Sequence, residues 1–205
     1  LLPAIFKWMT WYKKGKRNRP VTLLDFLFSI ASLIVFVGGS LLMTLFSFII
    51  RLFPGHKKKK KYLFHVLFSK MTYFLIYMNF LSPKRIINPE GEDYTRPAMV
   101  IANHQSHIDL MIMMLVSPKV LVLTNRRNYK HPFYGKALQY ADFLPSDMGY
   151  EEIGEDLRGL IDDGYSFMIF PEGHRNDDGT IRRFHKGAFY LADKLEIDIL
   201  PIIIH

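Results

Sequence analysis

Residues 98–109 read AMVIANHQSHID, and residues 166–176 read SFMIFPEGHRN. Each stretch begins with a short apolar run of the kind that forms a buried strand, and then turns abruptly polar. In parallel α/β sheets, active sites lie beyond the carboxyl ends of the strands. We therefore expect the two polar segments to meet at one edge of a sheet.

The same alternation continues over residues 82–205. Short apolar runs predict strands at Ala98–Ala102, Val120–Thr124, Ser166–Phe170 and Ile197–Ile204. Helical patterns between these runs predict helices at Asp109–Val116, His131–Tyr140, Glu151–Asp163 and Lys186–Lys194. Strands separated by helices predict an α/β fold with a mostly parallel sheet flanked by helices.

A long apolar segment precedes this region. Residues 23–50 carry one charge, Asp25, and exceed the roughly 20 residues that cross a bilayer as a helix. Basic residues flank the segment on both sides, which favours a re-entrant hairpin that breaks near Gly38-Gly39-Ser40 over a single tilted span. A buried helix of a soluble core is the third interpretation.

Two further features belong to the same region. The run Lys57–Lys61 is interpreted as a linker that anionic headgroups attract. Tyr62–Leu81 is aromatic and apolar, which predicts a helix that lies at the membrane interface, packs on the catalytic domain, or does both.

The chain therefore divides into a basic juxtamembrane segment, 1–22, a region of membrane-embedded and interfacial helices, 23–81, and a catalytic domain, 82–205. It opens at Leu1 and stops at His205, in both cases beside apolar residues. We expect a fragment of a larger membrane protein, with the catalytic domain incomplete at its C-terminus.

Composition restricts the chemistry and the partners. The chain has no cysteine, which excludes disulfides and cysteine nucleophiles, and its net charge is +8. Because the basic residues flank apolar segments and no nucleic-acid motif is visible, we expect an anionic membrane surface as partner and no nucleic acid.

His104 and Asp109 are the candidate catalytic pair. Removing a proton from a hydroxyl needs a base that works near neutral pH, and histidine has an unperturbed pKa in that range. An aspartate can hold the tautomer of the imidazole and stabilise its charged form. In this arrangement the hydroxyl of the substrate takes the place of an enzyme serine, so no protein nucleophile is needed.

The second polar segment predicts an anion-binding turn. Gly173 lets the backbone approach an anion closely, and Arg175 can hold a phosphate or carboxylate through two hydrogen bonds. Glu172 can accept from a glycerol hydroxyl or hold Arg175. Taken alone, these residues also fit an ordinary Pro-Glu-Gly turn with a solvated arginine.

Together the segments resemble the glycerolipid acyltransferase family, bacterial type, whose members move a fatty acyl group from a thioester to a lysolipid hydroxyl. Asn103-His104-Gln105-Ser106 with Asp109 is similar to the family's first block, in which the histidine is the general base. Phe170–Gly173 with Arg175 is similar to the third block, which helps to bind the acceptor. Phe184–Ala188 and Leu200-Pro201-Ile202 resemble the following segment and the fourth block. The resemblance implies that the substrate-binding residues are Asn103, Ser106, Glu172, Gly173, Arg175 and Lys186.

The sequence departs from the family in two places. After the glycine of the third block the family usually has threonine, arginine and serine, whereas this chain has His174, Arg175 and Asn176. The second block usually contains an arginine that grips the phosphate of the acceptor, but residues 142–147 contain none. Losing such a charge-assisted partner costs about 1.5–3 kcal/mol. Either another cation substitutes, or the acceptor is not a phosphate monoester; the candidates are Arg126, Arg127 and Lys130.

The resemblance implies a membrane-bound O-acyltransferase of phospholipid biosynthesis. The expected donor is acyl-CoA or acyl carrier protein thioester, and the expected acceptor is a lysolipid of the lysophosphatidate type or without phosphate. No cofactor and no metal are expected. The expected location is the inner or plasma membrane, with the catalytic domain on the cytoplasmic face.

Two alternatives compete with this interpretation. His104, His107, Asp109 and His174 are residue types that could bind one zinc ion in a metallohydrolase. A catalytically degenerate domain could instead serve as a membrane-anchoring module, which the altered second block and His174 favour. The retained base, aspartate and turn oppose that second alternative.

Overall fold

The computed structural model describes residues 22–78, 85–106, 108–148, 157–176 and 180–204. Two long helices, α1 (Leu23–Leu52) and α2 (Lys57–Met78), precede an α/β domain. The elements of that domain are β1 (Ala98–Ala102), α3 (Asp109–Met113), β2 (Val120–Thr124), α4 (Arg126–Tyr129), α5 (Gly135–Tyr140), β3 (Leu144–Pro145), β4 (Ser166–Ile169), α6 (Gly187–Leu195) and β5 (Asp198–Ile202). Residues 157–162 are also helical.

The five strands form one parallel sheet in the order β3-β2-β4-β1-β5. All residues of β1 and β2 are buried, as expected for strands covered on both faces. β1 lies between β4 and β5, with Ile101 opposite Ile169 and Ala98 opposite Asp198. The prediction of an α/β fold with a mostly parallel sheet is confirmed.

Some elements differ from the prediction. β3 was not predicted, because it has only two residues and its Pro145 cannot donate to a ladder. The predicted helix His131–Tyr140 begins at Gly135, and α4 precedes it. Several predicted features lie outside the described residues: residues 1–21, the end of the helix expected to reach Leu81, the beginning of the helix at 151–163, and His107.

α1 is one continuous helix, so the predicted hairpin break near Gly38-Gly39-Ser40 is wrong. It begins with a capping box in which Thr22 and Asp25 satisfy each other's backbone N–H groups. The glycines serve packing instead: a Cβ on Gly39 would come within 3.0 Å of Met71 Sδ on α2. α1 is long and apolar enough to cross a membrane, judged by length and composition.

Most of the apolar surface of α1 is uncovered. Buried side chains are confined to one stripe that includes Ser40, Met43, Ser47 and Ile50. The remaining faces expose large apolar side chains, such as Ile34 at 64%. The interpretation of α1 as a buried core helix is therefore wrong.

The lysine run Lys57–Lys61 forms the first turns of α2, so its interpretation as a linker is wrong. Lys58 Nζ lies 2.8 Å from Asp163 Oδ1, and Lys61 forms an ion pair with Asp142. These ion pairs attach the beginning of α2 to the α/β domain.

A buried histidine continues the contact between α2 and the domain. His65 Nδ1 lies 2.8 Å from the hydroxyl of Tyr165, and its Nε2 lies 3.0 Å from the carbonyl of Ala141. Burial lowers the pKa of His65 to about 4, so the ring is neutral at neutral pH. Farther along α2, the hydroxyl of Ser69 donates to the carbonyl of Met114. The predicted packing of this helix on the catalytic domain is confirmed.

The direction of α1 follows from its contacts with α5. Thr44 donates to the carbonyl of Phe133, just before α5, and the guanidinium of Arg51 lies 4.8 Å from the ring centre of Tyr140, at the end of α5. α5 begins after β2 has ended, and its end lies near the opposite edge, because His65 bonds both the carbonyl of Ala141, directly after α5, and the hydroxyl of Tyr165, directly before β4. The two helices therefore run in the same direction, and the N-terminal half of α1 extends past the edge at which the parallel strands end. We call this the carboxyl edge of the sheet.

Candidate active site

His104 and the loop after β4 meet at the carboxyl edge. β1 and β4 pair in parallel with Ile101 opposite Ile169. Because the register continues, His104, three residues beyond Ile101, lies beside the segment that begins with Phe170. The two polar segments of the sequence are therefore neighbours in space, as predicted.

The predicted base and its partner are in contact. His104 Nδ1 lies 3.0 Å from Asp109 Oδ2, and the aspartate side chain is only 2% exposed. The same oxygen accepts from the backbone N–H groups of Gln105 and Ser106, each at 2.6 Å. A carboxylate with three donors on one oxygen holds the imidazole as the tautomer with the proton on Nδ1. The Nε2 lone pair is then available to accept a proton.

The loop after β4 holds the backbone of His104 on both sides. The backbone N–H of His104 donates to Glu172 Oε1 at 2.9 Å, and the backbone carbonyl of His104 accepts from the N–H of Asn176 at 2.8 Å. The imidazole also stacks on the ring of Phe170, with ring centres 3.9 Å apart and an interplanar angle of 12°. His104 is thus fixed through its ring edge, its ring face and its backbone.

Glu172 is buried, and both carboxylate oxygens are engaged. Oε1 accepts from His104, and Oε2 accepts from the backbone N–H of Arg182 at 3.0 Å. Glu172 therefore links the loop after β1 to the segment that contains Arg182. Its contact with substrate stays a prediction. Two observations explain why glycine follows Glu172. Gly173 has φ of 73°, which favours glycine, and a Cβ there would lie 3.3 Å from His185.

Asn103 links the end of β1 to the residues that follow β5. Its side-chain amide donates to the carbonyl of Ile204 at 2.8 Å and accepts from the N–H of the same residue at 2.7 Å. These bonds continue the pairing of β1 with β5 by one step. Ser106 caps the loop through its hydroxyl, which accepts from the N–H of Ile108. Substrate binding by Asn103 and Ser106 stays a prediction.

Two predicted substrate-binding cations are exposed near this loop. Arg175 lies between the two residues that hold the backbone of His104, and no hydrogen-bond partner is seen for it in the part of the chain that the structure describes. Lys186 lies directly before α6 and is also exposed. Both side chains are exposed on the side of the carboxyl edge, where a ligand could contact them.

The end of β2 supplies further cations. Arg126 Nε donates to Asp147 Oδ2 at 2.7 Å, and this hydrogen bond lowers the pKa of the aspartate. The bond brings a guanidinium to the segment 142–147, where the family resemblance leads one to expect an arginine. Arg127 and Lys130 lie close by on and after α4, and both are exposed.

Three residues of the site were missed by sequence reasoning. Phe170 was assigned to the end of a strand and to the third block without a role of its own, Asn176 appeared only in the comparison of blocks, and Arg182 was not considered. Asn176 is 1% exposed and also bonds Thr180 through its side chain. Only the register of β1 against β4 brings Phe170 and Asn176 to His104, and the sequence does not reveal that register.

In residues 22–78, 85–106, 108–148, 157–176 and 180–204, no group of three or more His, Asp and Glu side chains could hold a metal ion. A cavity of about 490 Å³ lies at the turn between α1 and α2, lined by Arg51, Gly55, Lys57, Lys60, Lys61, Gln139 and Tyr140. It lies at the edge opposite to His104, so we do not assign it to this site.

Comparison with solved structures supports the fold. The chain resembles the crystal structure of the 1-acyl-sn-glycerophosphate acyltransferase PlsC from Thermotoga maritima, with a TM-score of 0.59 and 22% sequence identity. The superposition covers 79% of this chain and 72% of that one.

Sequence comparison identifies the family. The chain is 29% identical over 122 residues to human 1-acyl-sn-glycerol-3-phosphate acyltransferase beta, a match that covers 57% of this chain and 44% of that protein. It is 32% identical over 117 residues to the 1-acyl-sn-glycerol-3-phosphate acyltransferase of Saccharomyces cerevisiae, covering 53% of this chain and 39% of that protein. The chain thus spans less than half the length of these relatives. Residues 84–205, which form the sheet and bear His104, match the family Acyltransferase, and because they are more than half of the chain, the chain belongs to that family.

Proposed function

We propose that this protein is a membrane-bound O-acyltransferase that moves a fatty acyl group from an acyl thioester to the hydroxyl of a lysolipid. The observation that carries the proposal is the contact between His104 Nδ1 and the buried Asp109 at the carboxyl edge. This pair supplies an oriented base whose Nε2 is available to a substrate. The names of the relatives supply the reaction class.

In the proposed reaction His104 acts as the general base. Its Nε2 takes the proton from the acceptor hydroxyl while the oxygen attacks the carbonyl carbon of the thioester. Asp109 stabilises the imidazolium that forms. The tetrahedral intermediate then collapses, the carbon–sulfur bond breaks, and the thiolate receives the proton from His104. The products are an ester and a free thiol, so no covalent enzyme intermediate is needed.

We propose 1-acyl-sn-glycerol-3-phosphate, which the names of the relatives contain, as the first acceptor to test. Its phosphate needs a cation near the base. Arg175 supports this choice because it is exposed between two residues that bind the backbone of His104. Arg126 is the second candidate, and its bond to Asp147 holds it near the position of the missing second-block arginine.

The donor and the membrane belong to the same proposal. Acyl-CoA and acyl carrier protein thioester both supply the required thioester, and no other cofactor enters the reaction. The exposed apolar faces of α1 support attachment to a membrane. Because the N-terminal half of α1 extends past the carboxyl edge, a bilayer that holds it would lie on the side of the active site. We propose that this side is the cytoplasmic face, with anionic headgroups near the basic residues.

The test is acceptor-dependent release of thiol from long-chain acyl-CoA and from acyl carrier protein thioester by the membrane-bound protein. The acceptors should include 1-acyl-sn-glycerol-3-phosphate and a phosphate-free lysolipid. We expect release with the parent protein and none above background with His104→Ala, which should still bind membranes.

The possible results separate the alternatives. Release by His104→Ala at a near-normal rate would overturn the role of the base. No release with any acceptor or donor would favour the degenerate membrane-anchoring module. Release that only the phosphate-free acceptor supports would show that the altered second block has redirected the specificity.

A further inference from the structure

The stacking of His104 on Phe170 is a contact that the proposed reaction does not yet use. The ring centres are 3.9 Å apart and the planes differ by 12°. This is closer and more parallel than the other ring contact near the loop, between His174 and His185, whose centres are 6.5 Å apart. Phe170 is half-buried and packs against the core. Its position is therefore fixed by the sheet and not by the imidazole.

The stack constrains a motion that the Asp109 contact leaves free. A hydrogen bond to Nδ1 fixes the direction of one ring atom, but the ring can still tilt about the line joining Nδ1 to the carboxylate. Such a tilt would move Nε2, which lies on the far side of the ring, away from the acceptor oxygen. An aromatic plane parallel to the imidazole opposes the tilt because offset stacking is the favoured geometry of such a pair.

The position of Phe170 in the chain strengthens this argument. Phe170 is the first residue after β4. Two residues later, the carboxylate of Glu172 accepts a hydrogen bond from the backbone N–H of His104. One short segment therefore restrains the backbone and the ring of the same residue. A misplacement of about 1 Å can cost about a hundredfold in rate, so restraint at this level affects catalysis.

We propose that Phe170 is a positioning residue for the proposed acyl transfer, which holds the imidazole plane of His104 so that Nε2 faces the acceptor hydroxyl. The inference rests on the proposed function, because it assigns a role relative to the base of that reaction. Phe170 acts through the imidazole of His104 and not through contact with the substrate. Its aromatic ring is the required feature, and its bulk alone is insufficient.

The test compares Phe170→Leu, which keeps an apolar side chain, with Phe170→Tyr, which keeps the ring. In Phe170→Leu we expect kcat to fall about ten- to a hundredfold, while KM for thioester and for acceptor changes by less than about threefold. Phe170→Tyr should restore kcat to within about threefold of the parent. The matched control is Phe189→Leu on α6, which also removes a partly exposed aromatic ring but lies outside the contact with His104.

A second readout does not depend on activity. In the parent protein, selective labelling of histidine should show carbon-bound protons of His104 shifted upfield by the ring current of Phe170. The shift should vanish in Phe170→Leu and return in Phe170→Tyr. An assignment through His104→Ala identifies the signal.

The outcomes distinguish this inference from the function on which it rests. Full kcat in a folded Phe170→Leu would overturn the positioning role while leaving the base in place, provided that His104→Ala is inactive. Equal losses in the Leu and Tyr variants would also overturn it, because they would indicate a packing effect. Activity in His104→Ala would overturn the proposed function itself.

Discussion

Asp109 illustrates how one buried atom can organise a whole loop. Its Oδ2 accepts from His104 and from two backbone N–H groups, so residues 104–106 are all held by a single carboxylate oxygen. The helix that follows begins at Asp109, and a negative charge in the first turn of a helix is favourable. Because an asparagine side chain keeps an acceptor oxygen at this position, replacing Asp109 by Asn tests the charge of the side chain more than its shape.

We predict that Asp109→Asn lowers kcat by at least about a hundredfold. A neutral amide has nearly the same shape as the carboxylate but cannot stabilise an imidazolium ion, and base catalysis contributes about 10²–10⁴ in rate. The measurement is steady-state thiol release, with circular dichroism as the check on folding. A kcat within about threefold of the parent value would contradict the assigned partnership.

The two candidate phosphate ligands can be separated by substitution. We expect Arg175→Gln to raise KM for 1-acyl-sn-glycerol-3-phosphate about ten- to a hundredfold, because a hydrogen bond to a charged group contributes about 1.5–3 kcal/mol. KM for a phosphate-free lysolipid should stay the same. Arg126→Gln is the matched comparison, and an effect confined to that variant would move the phosphate to the end of β2.

At the scale of residues, the sequence predicted the pair His104 and Asp109 but not the backbone groups that the neighbouring polar side chains bind. His104 and Asp109 could be paired because they are five residues apart at the end of a strand. Substrate binding by Glu172 and Asn103 stays a prediction, but the bonds of their side chains to backbone groups of residues 182 and 204 were not predicted. Such long-range contacts depend on the order of the strands, which local patterns do not contain.

At the scale of elements, Gly38 and Gly39 look alike in sequence and differ in surroundings. A Cβ added at Gly38 would meet no other atom within 4 Å, whereas one at Gly39 would press on Met71 of α2. We predict that Gly39→Leu lowers the free energy of unfolding by about 1–3 kcal/mol because it forces α1 and α2 apart. Gly38→Leu should leave it unchanged or raise it by up to about 1 kcal/mol, since leucine favours helices. Denaturant unfolding in detergent measures both, and equal effects would contradict the close helix contact.

The contact of His65 with the domain should make stability depend on pH. Its pKa is about 4 in the folded protein and 6.5 in the unfolded chain, so the unfolded state binds the proton more readily. Its contribution is fully present above about pH 6.5 and is lost as the pH falls toward about 4, by about 3 kcal/mol in total.

The check is a comparison of the parent protein with His65→Asn, which has no titrating side chain at this position. Between about pH 7.5 and about pH 4.5 the parent should lose about 2–3 kcal/mol more stability than the variant. Parallel pH profiles would show that His65 is not buried against Tyr165 and Ala141 in solution.

Local patterns predicted the central strands well and the helices near them less well. β1 and β2 have the predicted bounds because each is a continuous apolar run between polar residues. The break at Gly38-Gly39-Ser40 was wrong because glycine signals both a turn and a close helix contact. Only the presence of Met71 on the facing helix decides between these two roles.

At the scale of the whole molecule, the exposed apolar face of α1 should control attachment to the membrane. Ile34 is 64% exposed, and a charged residue near the centre of an inserted helix costs about 2.5–3.5 kcal/mol. We predict that Ile34→Asp lowers partitioning into lipid vesicles at least about tenfold. Ile199→Asp on β5, another exposed isoleucine, is the control and should leave partitioning unchanged. Equal partitioning of both variants would exclude α1 as the attachment site.

The sheet order also has a consequence for the timing of synthesis. His104 follows β1, which pairs with β4, whose partner residues lie 68 positions later, and with β5, whose partner residues lie 100 positions later. α1 is complete before any strand exists, so a nascent chain can engage a membrane well before its sheet closes. The surroundings of His104, the proposed base, are complete only when the last strand is in place, since the preceding residue, Asn103, bonds the backbone of Ile204. During synthesis, attachment should therefore precede activity, and the growing chain should reach the lipid surface before it can modify any lipid.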